Sequence, residues 1–409
     1  MLNFHFKSLA MGTVFFRFFT TPKVLVLGVF LFAGVVSQGQ PLTEKAEISV
    51  ITCGPWQGEL YSAFGHSAIR VFDPGSGRDE IYNYGVFDFN QPNFYLNFAR
   101  GYLYYQLGVY DYPNFRDVYM YYNRFIHEQV LDLSGPQKQK VFEFLEWNAK
   151  PENKMYRYDY FFDNCATKIR TVMEVTLADS VEFDYSFIQT TYSIRELTDL
   201  YLKQQPWGDL GIDLGLGMSI DQVARPEEYL FLPDYVERSF DHGWIFQGGM
   251  KKKLVKAKRV VYESRVEEPV AGGIHPLFVF SIVGVLILFI SVLDWRKKKR
   301  TAVLDYILFG VTGFLGLSLS VLWLFTDHHA SASNLNLLWA FPLHLPILFV
   351  LHKNLVWVKK YFLGFAMLMV VVVLGQSILP QPLPFSLFPL WFGLGVRAFL
   401  IAFLGMGRG

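Results

Sequence analysis

Acidic side chains are nearly missing from both ends of this 409-residue chain. None precedes residue 41, and of 36 in total only Asp294, Asp305 and Asp327 lie beyond residue 273. Carboxylates are costly in hydrocarbon, so the acid-rich middle is the water-facing part. Cysteine is scarce too. Cys53 and Cys165 stand alone, too few for a disulfide framework or a thiolate zinc site, and spacing does not say whether they pair. Nor is there an excess of one charge: 37 basic residues against 36 acidic leave +1. Polyphosphate binding needs a concentrated basic face, which argues against a nucleic-acid partner. What is abundant is apolar surface, with 52% hydrophobic residues and a mean hydropathy of +0.24, above the roughly 45–50% of soluble proteins. Part of the chain is therefore expected in lipid.

The first 23 residues carry Lys7, Arg17 and Lys23 and lead into the apolar run Val24 to Val36. A helix of that run is about 20 Å long, short of the roughly 30 Å hydrocarbon core. Ser37 and Gly39 supply a small-x-small pattern, so residues 1–39 read as a secretory signal peptide, or as an uncleaved signal anchor borrowing Phe15 to Phe19. Residues 45–268 are then an exported mixed α+β domain. Residues 274–405 read as five spans: Pro276 to Leu293, Leu304 to Phe325, Leu335 to Leu351, Tyr361 to Leu379 and Phe385 to Leu404. Arg296 to Arg300 and Lys353, Lys359 and Lys360 fall in alternate loops, which places those loops in the cytoplasm. Thr326 to Asn334 and residues 45 to 270 then face the periplasm. The basic run Lys251 to Arg259 sits on the wrong side for that rule, as either a lipid-phosphate contact or a strand with solvated lysines.

Within the middle, Ile48 to Thr52 reads as a buried strand. Ser67 to Phe72 and Glu80 to Phe89 flank the turn cluster Asp73-Pro-Gly-Ser-Gly77 and predict a hairpin. Gln137 to Asn148 has helical spacing after Ser-Gly-Pro136. A second helix opens at Asp163-Asn164-Cys165 and runs to about Leu177. Cys165 thus falls in a first helical turn, where amides and the helix dipole favour a thiolate nucleophile. His66, after Gly65 at a strand start, has the rigidity a general base requires. A third group fixing its tautomer is expected opposite on the hairpin, with Asn83 first and Tyr84 and Asp88 behind it.

Weaker candidates surround these. Asp159 and Asn164 belong to the polar run about Cys165. His328, His329 and Asn334 lie in the periplasmic loop at the mouth of the bundle, as candidates for head-group or substrate contact. The aromatic-rich stretch Phe94 to Phe125 reads as core packing before an acyl groove or interfacial belt. Cys53 is expected to be a free buried thiol or to line the site.

The order Gly-His at a strand start, then Asn-Cys at a helix start, resembles the circularly permuted papain-like fold of the lecithin:retinol acyltransferase and permuted NlpC-type families. More closely, Thr52-Cys53-Gly54-Pro55, Phe64 to Arg70, Asn83 to Phe89 and Tyr158 to Thr167 resemble the Lnb family of bacterial lipoprotein N-acyltransferases, and the likeness covers nearly the whole chain. That resemblance implies a permuted papain-like (NlpC/LRAT-like) periplasmic domain fused to a five-helix transmembrane bundle in the inner membrane. It also implies His66 and Cys165 as the catalytic pair, no cofactor or metal, a phospholipid acyl donor and a diacylglyceryl lipoprotein as amine acceptor. A papain-like hydrolase, passing the same thioester to water as a phospholipase, thioesterase or amidase, is the alternative.

Overall fold

The computed structural model describes residues 41–88, 90–265 and 273–404; the expected signal segment 1–39 and Phe89 lie outside these. Along the chain come β1 (Glu47–Cys53), β2 (His66–Asp73), β3 (Arg78–Val86), α1 (Phe94–Arg100), β4 (Tyr104–Asp111), α2 (Tyr112–Tyr121), β5 (Ile126–Leu131), α3 (Gly135–Asn148), β6 (Met155–Arg157) and α4 (Cys165–Leu177). There follow β7 (Val181–Glu182), α5 (Ile194–Leu202), α6 (Pro206–Gly215), α7 (Pro233–His242), β8 (Trp244–Gln247), β9 (Met250–Lys253) and β10 (Val255–Tyr262). Seven strands form one antiparallel sheet in the order β10-β5-β1-β2-β3-β4-β6, and β7, β8 and β9 form a small second one.

The central strands are apolar on both faces because both faces are covered. Ile48, Val50, Ile69, Val71 and Tyr82 pack with Val141, Phe142 and Leu145 of α3 and Ile169, Val172 and Met173 of α4. Ile51, Cys53, Ala68 and Ile81, alternating with them along the strands, pack with Tyr112 and Phe115 of α2. The expected hairpin is β2–β3. Its turn is pinned by the buried Asp73 carboxylate, which accepts from the Thr43 and Gly75 amides at 2.9 and 3.0 Å. The basic run forms β9 and β10, where Lys251 pairs with Glu182, Lys258 with Asp241, and Lys256 and Arg259 with Glu47. Its charges answer neighbouring acids across the sheets.

Beyond residue 273 lie α8 (Pro276–Lys297), α9 (Ala302–Phe325), α10 (His344–Leu348), α11 (Val356–Leu374) and α12 (Phe388–Phe403). Among the described residues four helical stretches are long and apolar enough to cross a membrane: α8, α9, α11 and Phe385–Phe403. The remaining expected span, Leu335 to Leu351, is not one helix. It breaks into 3-10 turns at Leu335–Leu338 and Leu351–Lys353 around the five-residue α10. Pro342 and Pro346 remove two amide donors and disfavour helical geometry just before them. The broken segment lies hard against α9, where Gly316 lets the Ala340 carbonyl so close that a Cβ would overlap it. Arg397 of α12, fully buried, is held by Asp305 of α9 at 2.6 Å and Asp294 of α8 at 2.7 Å, tying three helices through one paired cation.

The two regions are fastened by polar contacts. The Asp327 amide donates to the Arg100 carbonyl at 2.8 Å, and its carboxylate pairs with Arg157 at 2.5 Å. Amides of Asn334, Asn336 and Gln381 donate to the carbonyls of Leu214, Asp213 and Leu216 at 2.8–3.0 Å.

Candidate active site

β2 begins, β3 ends and α4 begins at one rim of the large sheet. α4 starts where it does because of Asn164, whose side-chain oxygen accepts from the Ala166 and Thr167 amides at 2.9 Å, while the Thr167 hydroxyl accepts from the Asn164 amide at 2.8 Å. This reciprocal cap satisfies orphan donors and leaves Cys165 as the first helical residue. Gly85 closes the approach. Its φ of +86° is unfavourable for other residues, and a Cβ there would sit 3.5 Å from that of Cys165. The thiol is therefore held beside the end of β3.

His66 opens β2, opposite Cys53 of β1 in the antiparallel register. Its ring lies on the α2 side of the sheet, stacked on Tyr119 with centroids 6.1 Å apart. Nε2 is 2.6 Å from Asn83 Oδ1 on β3, so with Asn83 accepting, Nε2 carries the proton and Nδ1 is left as the base. Of the three groups considered for orienting His66, the structure brings Asn83 to it. Tyr84 faces the other way, into the core, with its hydroxyl donating to Asn148 Oδ1 at 2.7 Å. Asp88 lies exposed past the strand end and accepts from the Asn90 amide.

The electrostatics of the site run against the expected thiolate. Burial pushes the Cys165 thiol up to about 11, outweighing the Ser67, Ala166 and Cys165 amides and the Arg124 guanidinium, all of which favour the anion. Burial likewise pushes His66 down to about 4, with Arg124 adding to it and the Asn83 bond opposing. Both shifts favour the neutral thiol and the neutral ring, and among the described residues no hydrogen bond joins the two. Cys165 is half-buried, and at this sulfur the cost of burying charge outweighs the helix-start amides. Cys53 is a free, buried thiol that burial pushes well up.

The weaker candidates divide. Asp159 accepts from the Phe161 and Phe162 amides and shapes the turn before α4. Asn164 is the cap, with its amide donating to the Tyr160 and Phe231 carbonyls. Both position Cys165 and have their polar groups engaged. His328 approaches the Phe98 carbonyl at 3.1 Å, His329 accepts Ser219 through its carbonyl, and Asn334 is buried against Leu214. The three join the domain to the helices and are not gathered at the thiol. Sequence reasoning missed Arg124, a buried cation whose field reaches both Cys165 and His66. It also missed Asp199, Asp209 and Asp213, whose carboxylates come close enough to share a metal ion but are already partly answered by Arg195, 2.7 Å from Asp213.

A half-buried helix-start thiol and a histidine–asparagine pair at one rim of the sheet, fastened to helices long and apolar enough for a bilayer, describe a mixed α/β domain joined to a helical membrane region. A family model described as the Lnb N-terminal periplasmic domain matches residues 39–199, and one described as the Lnb transmembrane domain matches residues 267–407. The chain belongs to the Lnb family, with a periplasmic N-terminal domain and a transmembrane domain. No curated protein and no solved structure matches it.

Proposed function

We propose that this protein is a membrane-bound lipoprotein N-acyltransferase working through a Cys165 thioester. The observation that carries the reading is the His66–Asn83 pair beside a helix-start cysteine, on a domain hydrogen-bonded to apolar helices in a family defined by those two parts. In the first step the Cys165 sulfur attacks an ester carbonyl of a phospholipid. The C–S bond forms, the ester C–O bond breaks, and the thiol proton passes through His66 to the departing glycerol oxygen, releasing a lysophospholipid. In the second step the α-amine of a diacylglyceryl lipoprotein attacks the thioester. The C–N bond forms, the C–S bond breaks, and the amine proton returns to sulfur through His66. Charge building on the carbonyl oxygen meets the backbone amides near the sulfur, that of Cys165 foremost.

The same reading treats residues 45–268 as a permuted papain-like domain in the periplasm. The order of His66, Asn83 and Cys165 and the packing of α4 on an antiparallel sheet support it. Residues 274–405 are the multi-pass inner-membrane part, with the broken segment around α10 as the fifth pass, and residues 1–39 are the export signal. Both substrates are confined to a bilayer, which gives a thiol domain reason to be fastened to helices.

The test is the intact mass of a lipoprotein N-terminus in cells whose sole candidate N-acyltransferase is this protein. An acyl mass present with the wild type and absent with Cys165→Ala is expected. Its persistence in Cys165→Ala refutes the nucleophile, and its absence in both refutes transfer to the amine.

A further inference from the structure

Arg124, between α2 and β5, is fixed from three directions. Its amide donates to the Tyr119 carbonyl at 2.9 Å, its Nε donates to the Gly54 carbonyl at 2.6 Å, and its guanidinium lies 4.5 Å over the Tyr119 ring, the ring that stacks on His66. Only 8% of the residue is exposed. Nη2 is buried with no hydrogen-bond partner, and among the described residues no carboxylate comes within ion-pair distance. A buried, uncompensated cation is strongly disfavoured, and one held this rigidly points to an anion that is not part of the chain.

We propose that Arg124 Nη2 holds the phosphodiester of the acyl donor and so makes the site selective for glycerophospholipid over uncharged glycerol esters. The inference rests on the acyl-transfer reading above. Three considerations favour the phosphodiester over other anions. Burial favours the neutral thiol and the neutral imidazole, so neither offers Arg124 a counter-charge. The transient oxyanion has backbone amides at the sulfur to meet it. A glycerophospholipid carries a fixed negative charge within a glycerol's length of the ester that Cys165 attacks. Tyr61, within reach of the Arg124 charge, and Tyr122, packed on Trp56, are both exposed, and the nearby acid Glu59 is engaged with the Tyr61 hydroxyl. A guanidinium offers paired donors that match a phosphate.

The experiment uses the full-length protein in non-ionic detergent. Acylation of Cys165 in a single turnover is followed by intact mass, with phosphatidylethanolamine or the diacylglycerol bearing the same two chains as donor. The esters are identical and only the phosphodiester differs. The wild type is expected to favour the phospholipid, and Arg124→Gln to reduce the ratio of the two rates by about tenfold to a hundredfold, the size of a lost charged hydrogen bond. Arg124→Lys, which keeps the charge, is expected to fall between them, and thermal unfolding shows that each variant is folded. The ratio isolates the phosphodiester, because any effect of Arg124 on the thiol slows both donors alike. An unchanged ratio in both variants overturns the proposal. Absence of acyl mass from either donor in the wild type refutes the acyl-transfer reading itself, and this inference with it.

Discussion

The resting state of Cys165 makes a quantitative prediction about its reactivity. With the thiol pushed up to about 11, only about one molecule in ten thousand is thiolate at pH 7, against about one in a hundred for the ordinary value of 9.0. Alkylation by iodoacetamide, which needs the thiolate, is therefore expected to be about a hundredfold slower at pH 7 than for an unperturbed cysteine, and to climb about tenfold per pH unit from pH 6 to 10. The assay is pulse labelling of the detergent-solubilised protein, with peptide mass spectrometry separating Cys165 from the deeper Cys53. A preformed thiolate–imidazolium pair gives the opposite profile, a rate nearly flat from pH 5 to 8, and that result would refute the conclusion that burial outweighs the helix-start amides. The sign has a mechanistic consequence. With His66 at about 4, moving the thiol proton to the ring is uphill in the empty site. It becomes feasible when the two new charges attract in a dry environment and a bound donor consumes the thiolate, so reactivity should rise on donor binding.

Other perturbations follow from single contacts. Asn83→Ala removes the acceptor 2.6 Å from His66 Nε2 and should slow thioester formation by about threefold to tenfold, one hydrogen bond's worth, with little change in thermal midpoint. Asn164→Ala removes the α4 cap and leaves the Tyr160 and Phe231 carbonyls without their donor, costing about 3 kcal/mol; Asn164→Asp keeps the cap acceptor and should lose less in the same denaturation measurement. Burial, with Asp213 and Asp209 nearby, pushes Asp199 up to about 8. The folded state then holds a proton that the unfolded chain releases near pH 4, so this group's contribution to stability falls as pH rises from about 4 to 8. Asp199→Asn should flatten that decline and raise the melting temperature at pH 8, and equal pH dependence in both proteins would count against it.

What could be read from the residues was local. The turn at Asp73 to Gly77 set the hairpin, and the hairpin set Asn83 near His66, because a two-residue side-chain period fixes which positions share a face. The start of α4 was legible from Asn164 and its end from periodicity, and helix and prediction agree at Leu177. The same period explains the miss at Tyr84, whose neighbour Asn83 takes the His66 face and turns Tyr84 into the core. Arg124 was invisible for a different reason. Its meaning depends on Gly54 and Tyr119 meeting it, a tertiary arrangement with no sequence spacing to betray it. The thiolate expectation weighed the helix start alone, since a sequence shows that start and hides the burial that pushes the Cys165 thiol up.

The loop at the bundle mouth, expected to meet head groups, also carries part of the architecture. Asp327 and His328 bind the Arg100 and Phe98 carbonyls at the end of α1, and Phe325 just before them ends a helix long and apolar enough to span a bilayer. α1 is thereby held beside the C-terminal end of α9. Tyr95, Leu96 and Phe98 of α1 are exposed and none of its residues is buried, a pattern that favours contact with the interfacial region over water. From α1 the chain enters β4, which pairs antiparallel with β3, whose end carries Gly85 against Cys165. Polar loop residues expected to meet head groups thus clasp the end of α1 to the loop that follows α9. In the proposed chemistry that clasp ties the domain carrying Cys165 to the helices that would meet a lipid donor.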